Sequence, residues 1–379
     1  MFMLPSWSRS GFSLAILLSA FFFTACQPAP PPEPEAPAYD RASDIMRYDG
    51  EDHIRNIRQL TFGGNNAEAY WSEDGEQLVF QSDWDQINGQ GCDQIFVMNA
   101  DGSKLANGET YQLASTGKGR TTCSYFMPDG RIVYASTHES DPACPAPVMF
   151  NQGRYVWPIY DSYDIYTATT DGTDTQLLID GEGYDAEATV SPDGKYVIFT
   201  STRSGDLELY RYEIATAEVL QLTDTLGYDG GAFFSRDSKK IVWRASRPEG
   251  EAAETYQALL KDGFVEPSAL NIFIADIDGT NVQQITDLPG ANWAPFFHPD
   301  GERVLFTSNH HSMEQGGRLF DIFMINADGS DLKQLTHSGT FDAFPMFSLD
   351  GKQLVFASNR NEAGEDSRET NVFVADWVD

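Results

Sequence analysis

The chain has 379 residues, enough for about two average domains or one large all-β domain. Hydrophobic residues make up 41% and aromatics 13%, with 32 Gly and 19 Pro, a composition that supplies a packed core and many turns and excludes a largely disordered or collagen-like chain. Against 25 Lys and Arg stand 57 Asp and Glu, and the resulting net charge of −32 repels nucleic-acid phosphates and anionic lipid headgroups, so no nucleic-acid partner is expected.

At the N-terminus, Arg9 precedes an apolar run from Phe12 to Phe23 that is too short to span a bilayer but suits a signal peptide over residues 1–25. Phe23-Thr24-Ala25-Cys26 resembles the lipobox of bacterial lipoproteins, with Phe23 where that motif usually carries Leu. The resemblance implies acylation of Cys26 and a lipid-anchored protein of the cell envelope. Gln27 after the Cys, by resemblance to Gram-negative sorting signals, points to the outer membrane, facing periplasm or cell surface. Gln27 to Pro37 holds six prolines and two glutamates without apolar periodicity, so residues 26–53 read as an extended, semi-rigid linker.

From there one turn recurs: WSEDG, MPDG, SPDG, SRDS, HPDG and SLDG, marked by Asp74, Asp129, Asp193, Asp237, Asp300 and Asp350 at intervals of 55, 64, 44, 63 and 50 residues. Such spacing signals a propeller or solenoid. Each turn leads into a β-branched and aromatic run (QLVFQS, RIVYAS, YVIFTS, KIVWRA, RVLFTS, QLVFAS), as a tight hairpin requires. A third strand follows as DQIFVMN, YDIYTAT, LELYRYE, LNIFIAD, FDIFMIN and TNVFVAD, and a fourth ends in motifs such as LQLT, QQIT and KQLT. The sixth unit lacks its fourth strand, whereas Ile54 to Thr61, ending RQLT, has that signature and precedes the first unit. Residues 54–379 therefore read as an all-β, six-bladed propeller of four-stranded antiparallel blades whose last blade is closed by the N-terminal strand, which leaves no open sheet edge.

These repeats resemble the propeller of the TolB-like family, whose units read L-T, S-P-D-G, a strand ending S-x-R and a strand ending D-G. The resemblance implies an envelope protein that binds protein partners, although the same repeat occurs in prolyl oligopeptidases and oligogalacturonate lyases, so fold alone does not settle function. Fewer than 30 residues separate Cys26 from the first strand, which leaves no place between them for the family's N-terminal α/β domain. There is no G-x-S-x-G nucleophile elbow, and the peptidase reading fails with it.

Eight residues before each turn Asp, in the loop that enters a blade, stand Asn66, Thr121, Asp185, Asp229, Asn292 and Asp342. Two readings remain: Asn66, Asp185, Asp229, Asn292 and Asp342 form an oxygen ring that attracts a divalent cation such as Ca²⁺, or they bond their own turns. Two residues later stand Glu68, Cys123, Glu187, Gly231, Ala294 and Phe344. Where the second strands end, the column Trp84, His138, Arg203, Arg247, His310 and Arg360 keeps the Arg of S-x-R in three blades. Arg203, Arg247 and Arg360, with His138, His310 and His311 near carboxylates, are candidate ligand-binding groups, though blades two and five lie opposite each other in the ring.

The loops joining second to third strands differ most. Blade three has only Thr202 to Asp206, whereas blade two has about 26 residues, Thr137 to Ser162, in which Tyr155, Trp157 and Tyr160 offer a stacking surface for a sugar, peptide or protein, or a lid packed on its own propeller. Blade four inserts Glu249 to Ala269, with a short helix expected over Ala253 to Lys261, apolar at Tyr256, Leu259 and Leu260 and stopped by Gly263. Beyond Cys26, three cysteines remain in an oxidising compartment: Cys92, Cys123 and Cys144, of which two pair, with Cys144 able to reach either of the others. The sequence thus points to a monomeric, lipid-anchored binding protein with no required cofactor, taking an envelope protein, peptide or glycan on its loop face. The alternative is a metal-dependent polysaccharide lyase or hydrolase at the channel mouth.

Overall fold

A computed structural model describes residues 44–146, 148–360 and 369–379; the signal segment 1–25, Cys26 and residues 27–43 of the linker lie outside them. Six four-stranded antiparallel sheets follow one another along the chain as blades. Blade one is Asn66–Trp71, Gln77–Ser82, Gln94–Asn99 and Gln112–Leu113; blade two is Thr121–Phe126, Ile132–Ser136, Asp164–Ala168 and Gln176–Ile179. Blade three is Asp185–Val190, Tyr196–Ser201, Glu208–Glu213 and Glu218–Gln221; blade four is Asp229–Phe234, Lys240–Ser246, Leu270–Asp276 and Gln283–Gln284. Blade five is Asn292–Phe297, Arg303–Ser308, Asp321–Asn326 and Lys333–Gln334. Blade six takes Asp342–Phe347, Gln353–Ser358 and Asn371–Trp377 from the end of the chain and Ile54–Gln59 from its start, the closure expected from the repeat. Ile54 pairs with Trp377 and Gln59 with Phe373, and Leu60 N–H donates to Val372 O at 2.8 Å.

The recurring turn is built by its own side chains. In blade one Ser72 Oγ donates to Asp74 Oδ1 at 2.6 Å and accepts from Gln77 N–H at 2.9 Å, and the same Ser-to-Asp bond recurs at Ser191, Ser235 and Ser348. Hydrogen bonds from Ser72 and from the Glu76 backbone hold the Asp74 carboxyl below its ordinary range. The turn needs a left-handed residue, supplied by Gly75 (φ +73°) in blade one and by Ser238 (φ +58°) in blade four.

Between blades the core is aromatic. Directly paired second- and third-strand residues meet ring to ring in every blade: Phe80 with Phe96, Tyr134 with Tyr166, Phe199 with Tyr210, Trp243 with Phe273, Phe306 with Phe323, and Phe356 with Phe373, at 5.7 to 6.3 Å between centroids. Such cross-strand pairs contribute about 0.5–1.5 kcal/mol each beyond area burial. Between the first strands, Tyr70, Tyr125, Phe233 and Phe296 from four blades form a chain of tilted and edge-to-face ring contacts at 5.4 to 6.1 Å.

Candidate binding site at the channel mouth

Every first strand carries a bulge at the same place, between Ala67 and Tyr70 in blade one and at the equivalent positions of the other five. The extra residue is Glu68, Cys123, Glu187, Gly231, Ala294 or Phe344, with φ between +48° and +58°. For the five that are not glycine this backbone costs about 1–2 kcal/mol each. A bulge re-aims its side chain, and all six residues line one cavity of about 720 Å³ at the mouth of the channel. Neighbouring blades stitch these bulges in place: Cys123 N–H donates to Gln81 Oε1 at 3.1 Å, Gly231 N–H to Glu187 Oε2 at 2.8 Å and Phe344 N–H to Thr307 Oγ1 at 3.2 Å.

The polar centre is a buried trio. Arg244, on the second strand of blade four, donates to Glu187 Oε1 at 2.5 Å and to the Tyr228 hydroxyl, which itself donates to Glu187 Oε1 at 2.6 Å. Burial pushes the Glu187 carboxyl up, but the Arg244 guanidinium and the bonds from Tyr228 and Thr200 outweigh it and hold the group below its ordinary value. Space for this trio comes from Gly230 and Gly231: a Cβ on Gly231 would stand 1.8 Å from Arg244 Nη1, and one on Gly230 2.4 Å from Glu187 Oε2. Glu68, across the mouth, is pushed up to about 7 by burial, with the Glu187 carboxylate adding to the effect and Cys123 and Arg244 opposing it. Burial likewise drives the Cys123 thiol well above its ordinary value, so it is no thiolate nucleophile.

The long insertions form a roof. Trp157–Pro158 of the blade-two loop pairs with Phe264–Val265 of the blade-four insertion, a two-stranded ribbon that spans the short loop of blade three. Trp157 lies 5.6 Å from the Arg244 guanidinium and meets Tyr228 and Trp293 edge to face at 6.5 and 6.3 Å. The blade-four helix runs Glu251–Lys261, two residues longer at its start than expected; Tyr256 is its buried anchor, donating to Asp206 Oδ1 of blade three at 2.5 Å. Arg154 joins Glu266 at 3.0 Å, and the Cys92–Cys144 disulfide fixes the base of the blade-two loop, leaving Cys123 as the free thiol among the described residues. The outer hairpin exposes Met149, Phe150 and Tyr155.

Of the residues nominated from sequence, Tyr155, Trp157 and Tyr160 line the cavity, whereas His138, His310, His311, Arg203, Arg247 and Arg360 do not. The S-x-R column packs inside its blades: Arg203, Arg247 and Arg360 lie 4.8 to 5.0 Å over Phe199, Phe273 and Phe356, and His138 and His310 lie 4.4 and 4.5 Å from Tyr166 and Phe323. His311 Nε2 reaches Asp321 Oδ2 at 2.9 Å within a short 3₁₀ turn, His310–Gln315. The oxygen ring is likewise turned to structure. Asp185, Asp229 and Asp342 ion-pair with Arg203, Arg247 and Arg360 at 2.8 to 3.0 Å, while Asn66 and Asn292 accept from Ser82 and Ser308. Among the described residues no three His, Cys, Asp or Glu side chains converge as a metal site. What sequence reasoning missed is Arg244. Its signal was present: at the fifth position of the second strand the other blades carry Gln81, Ala135, Thr200, Thr307 and Ala357, and Arg244 is the one charged residue in that column.

Fold and site together define a six-bladed propeller with a roofed, half-closed axial cavity. Its sequence and structural likenesses agree. The profile of the TolB beta propeller domain matches residues 263–365. An uncharacterized protein of Agrobacterium fabrum is 28% identical over 149 residues, 38% of this chain and 46% of its own, and a TolB homolog of Chlorobium chlorochromatii is 27% identical over 147 residues, 39% of this chain and 29% of its own. These matches span less than half the length of the curated relatives. The crystal structure of TolB from Acinetobacter baumannii superposes with a TM-score of 0.52 at 21% identity, covering 73% of this chain and 56% of that one, a likeness of fold. The chain is similar to TolB-like β-propellers in repeat sequence and in fold.

Proposed function

We propose that this protein is an extracytoplasmic binding module of the cell envelope that holds a segment of a protein partner in the roofed mouth of its propeller. The observation that carries the reading is the ribbon between Trp157–Pro158 and Phe264–Val265, which joins two insertions from different blades over a cavity walled by aromatic rings. Cavities of about 300–1,000 Å³, largely apolar with a few fixed polar groups, are the usual form of a ligand site. The likeness to TolB proteins supports a protein partner over a glycan. On this reading residues 1–25 are a signal peptide, Cys26 carries the lipid, the linker that follows it tethers a monomeric propeller to the outer membrane, and no metal is used; the expected linker over 26–53 is too long at its end, since Asp44 and Glu51 are buried against the closing strand and blade six.

The test is cross-linking in intact envelopes. Trp157→Ala removes the cross-linked partner, whereas His138→Ala and His310→Ala, which alter only contacts inside blades, retain it. An unchanged set of cross-links in Trp157→Ala sinks the mouth as the docking site. The anchor is tested apart: Cys26→Ser abolishes fatty-acid labelling and membrane partition, and persistence of both overturns it.

A further inference from the structure

Five charged side chains line the mouth cavity: Glu68, Asp93, Arg120, Glu187 and Arg244. Two of the three carboxyls are matched, Asp93 to Arg120 at 2.6 Å and Glu187 to Arg244 at 2.5 Å. Glu68 is not. Among the described residues it forms no ion pair, and the group it bonds is the Cys123 thiol. The groups that face it are Cys123 from blade two, Asp93 from blade one, Glu187 from blade three and Arg244 from blade four, the last already matched to Glu187. Its backbone is held at φ +52° by the bulge, so its position is imposed by the fold.

Two further observations concern what the rest of the cavity offers. Ser124 Oγ and Tyr160 OH line it, are buried, and have no hydrogen-bond partner among the described residues; Ser124 is only 1% exposed. Both oxygens can accept from N–H. The walls include Tyr70, Trp157, Tyr184, Trp293 and Phe344, and aromatic faces attract cations, most strongly where water is excluded. The site holds its own precedent, since the Arg244 guanidinium lies 4.7 Å over the Tyr228 ring.

We infer that the mouth is a receptor for one organic cation, the ammonium or guanidinium of a lysine or arginine side chain on the partner segment, with Glu68 as its counter-ion. This rests on the reading of the mouth as the docking site and names what enters it. A net charge of −32 draws a basic partner toward the propeller and repels an acidic one.

The experiment is calorimetric titration of the full chain, in detergent at pH 8, with blocked pentapeptides of glycine that carry Lys, Arg, norleucine or Glu at the centre, and with free spermidine. The Lys and Arg peptides bind at least about tenfold more tightly than the norleucine peptide, and the Glu peptide does not bind. Glu68→Gln keeps the backbone and shape, leaves norleucine binding unchanged and abolishes the preference; its thermal melt verifies the fold. Trp157→Ala weakens all peptides alike. Equal binding of Lys and norleucine peptides, a preference that survives Glu68→Gln, or no saturable Lys binding at about 10 mM overturns the cation receptor. Should Trp157→Ala still lose the partner in envelopes, the docking reading survives that failure. Binding of spermidine without the Lys peptide also overturns the proposal, since the cation would then be a free amine.

Discussion

Two rings of residues sit two positions apart on the same six strands, and they behave differently. Asn66, Thr121, Asp185, Asp229, Asn292 and Asp342 are all buried and bound inside the propeller: the Asp residues by Arg eighteen positions on, the Asn residues by Ser. Glu68, Cys123, Glu187, Gly231, Ala294 and Phe344 share a strained backbone and a cavity but no common chemistry. Where a repeat is uniform in chemistry, the position serves the blade. Where the backbone is repeated and the side chain is not, the position serves the ligand on the proposed reading.

The comparison breaks most visibly at Arg360. With Glu51 and Asp342 it forms a network almost wholly out of solvent, at 2.9 and 3.0 Å, that ties the segment before the closing strand to blade six. Arg360→Ala leaves two buried carboxylates unmatched and costs about 3–5 kcal/mol; a large drop in melting temperature checks it. Next comes the disulfide, which closes a loop with a separation of 52 residues. Its loss in Cys144→Ser lowers stability by about 2–4 kcal/mol, read by denaturant unfolding. Trp157→Ala, on the ligand side, has the opposite profile: partner affinity falls about tenfold or more, equivalent to about 1.4 kcal/mol, while the melt moves less than in Arg360→Ala.

The smallest effect is electrostatic and lies beside the structural ring. Glu208 is pushed up to about 8 by burial, from an ordinary value of 4.5, and its Oε2 has no hydrogen-bond partner among the described residues. Asp321 rises to about 7 and Asp164 to about 6, again chiefly through burial. The folded state therefore keeps protons that the unfolded chain releases, and stability declines as pH rises from about 5 to 8. Glu208→Gln flattens that slope, measured by chemical denaturation at each pH.

Much of the fold was legible because each blade repeats its turn, and a repeated Ser-x-Asp-Gly cannot be mistaken for chance. The closure by Ile54–Gln59 followed from a missing strand at one end and a spare one at the other. The helix was legible from Tyr256 and Gly263, and the role of Cys144 from its place in the longest loop. The structural ring was half legible: blades with Asp at the first position have Arg eighteen residues later (Asp185 and Arg203, Asp229 and Arg247, Asp342 and Arg360), whereas the blades with Asn66 and Asn292 have Trp84 and His310 at that distance and the blade with Thr121 has His138 seventeen residues later. That internal pairing announces salt bridges, yet the Asp column alone reads as a ring of ligands. The roof was not legible, since nothing local says that Trp157 and Val265 are neighbours across blade three. Nor was the bulge, because Glu, Cys, Ala and Phe at a positive φ carry no sequence mark of it.

The ring contacts among Tyr70, Tyr125, Phe233 and Phe296 brace four blades against one another at one point: Phe233 touches the other three, so a change at that ring is felt in all four blades.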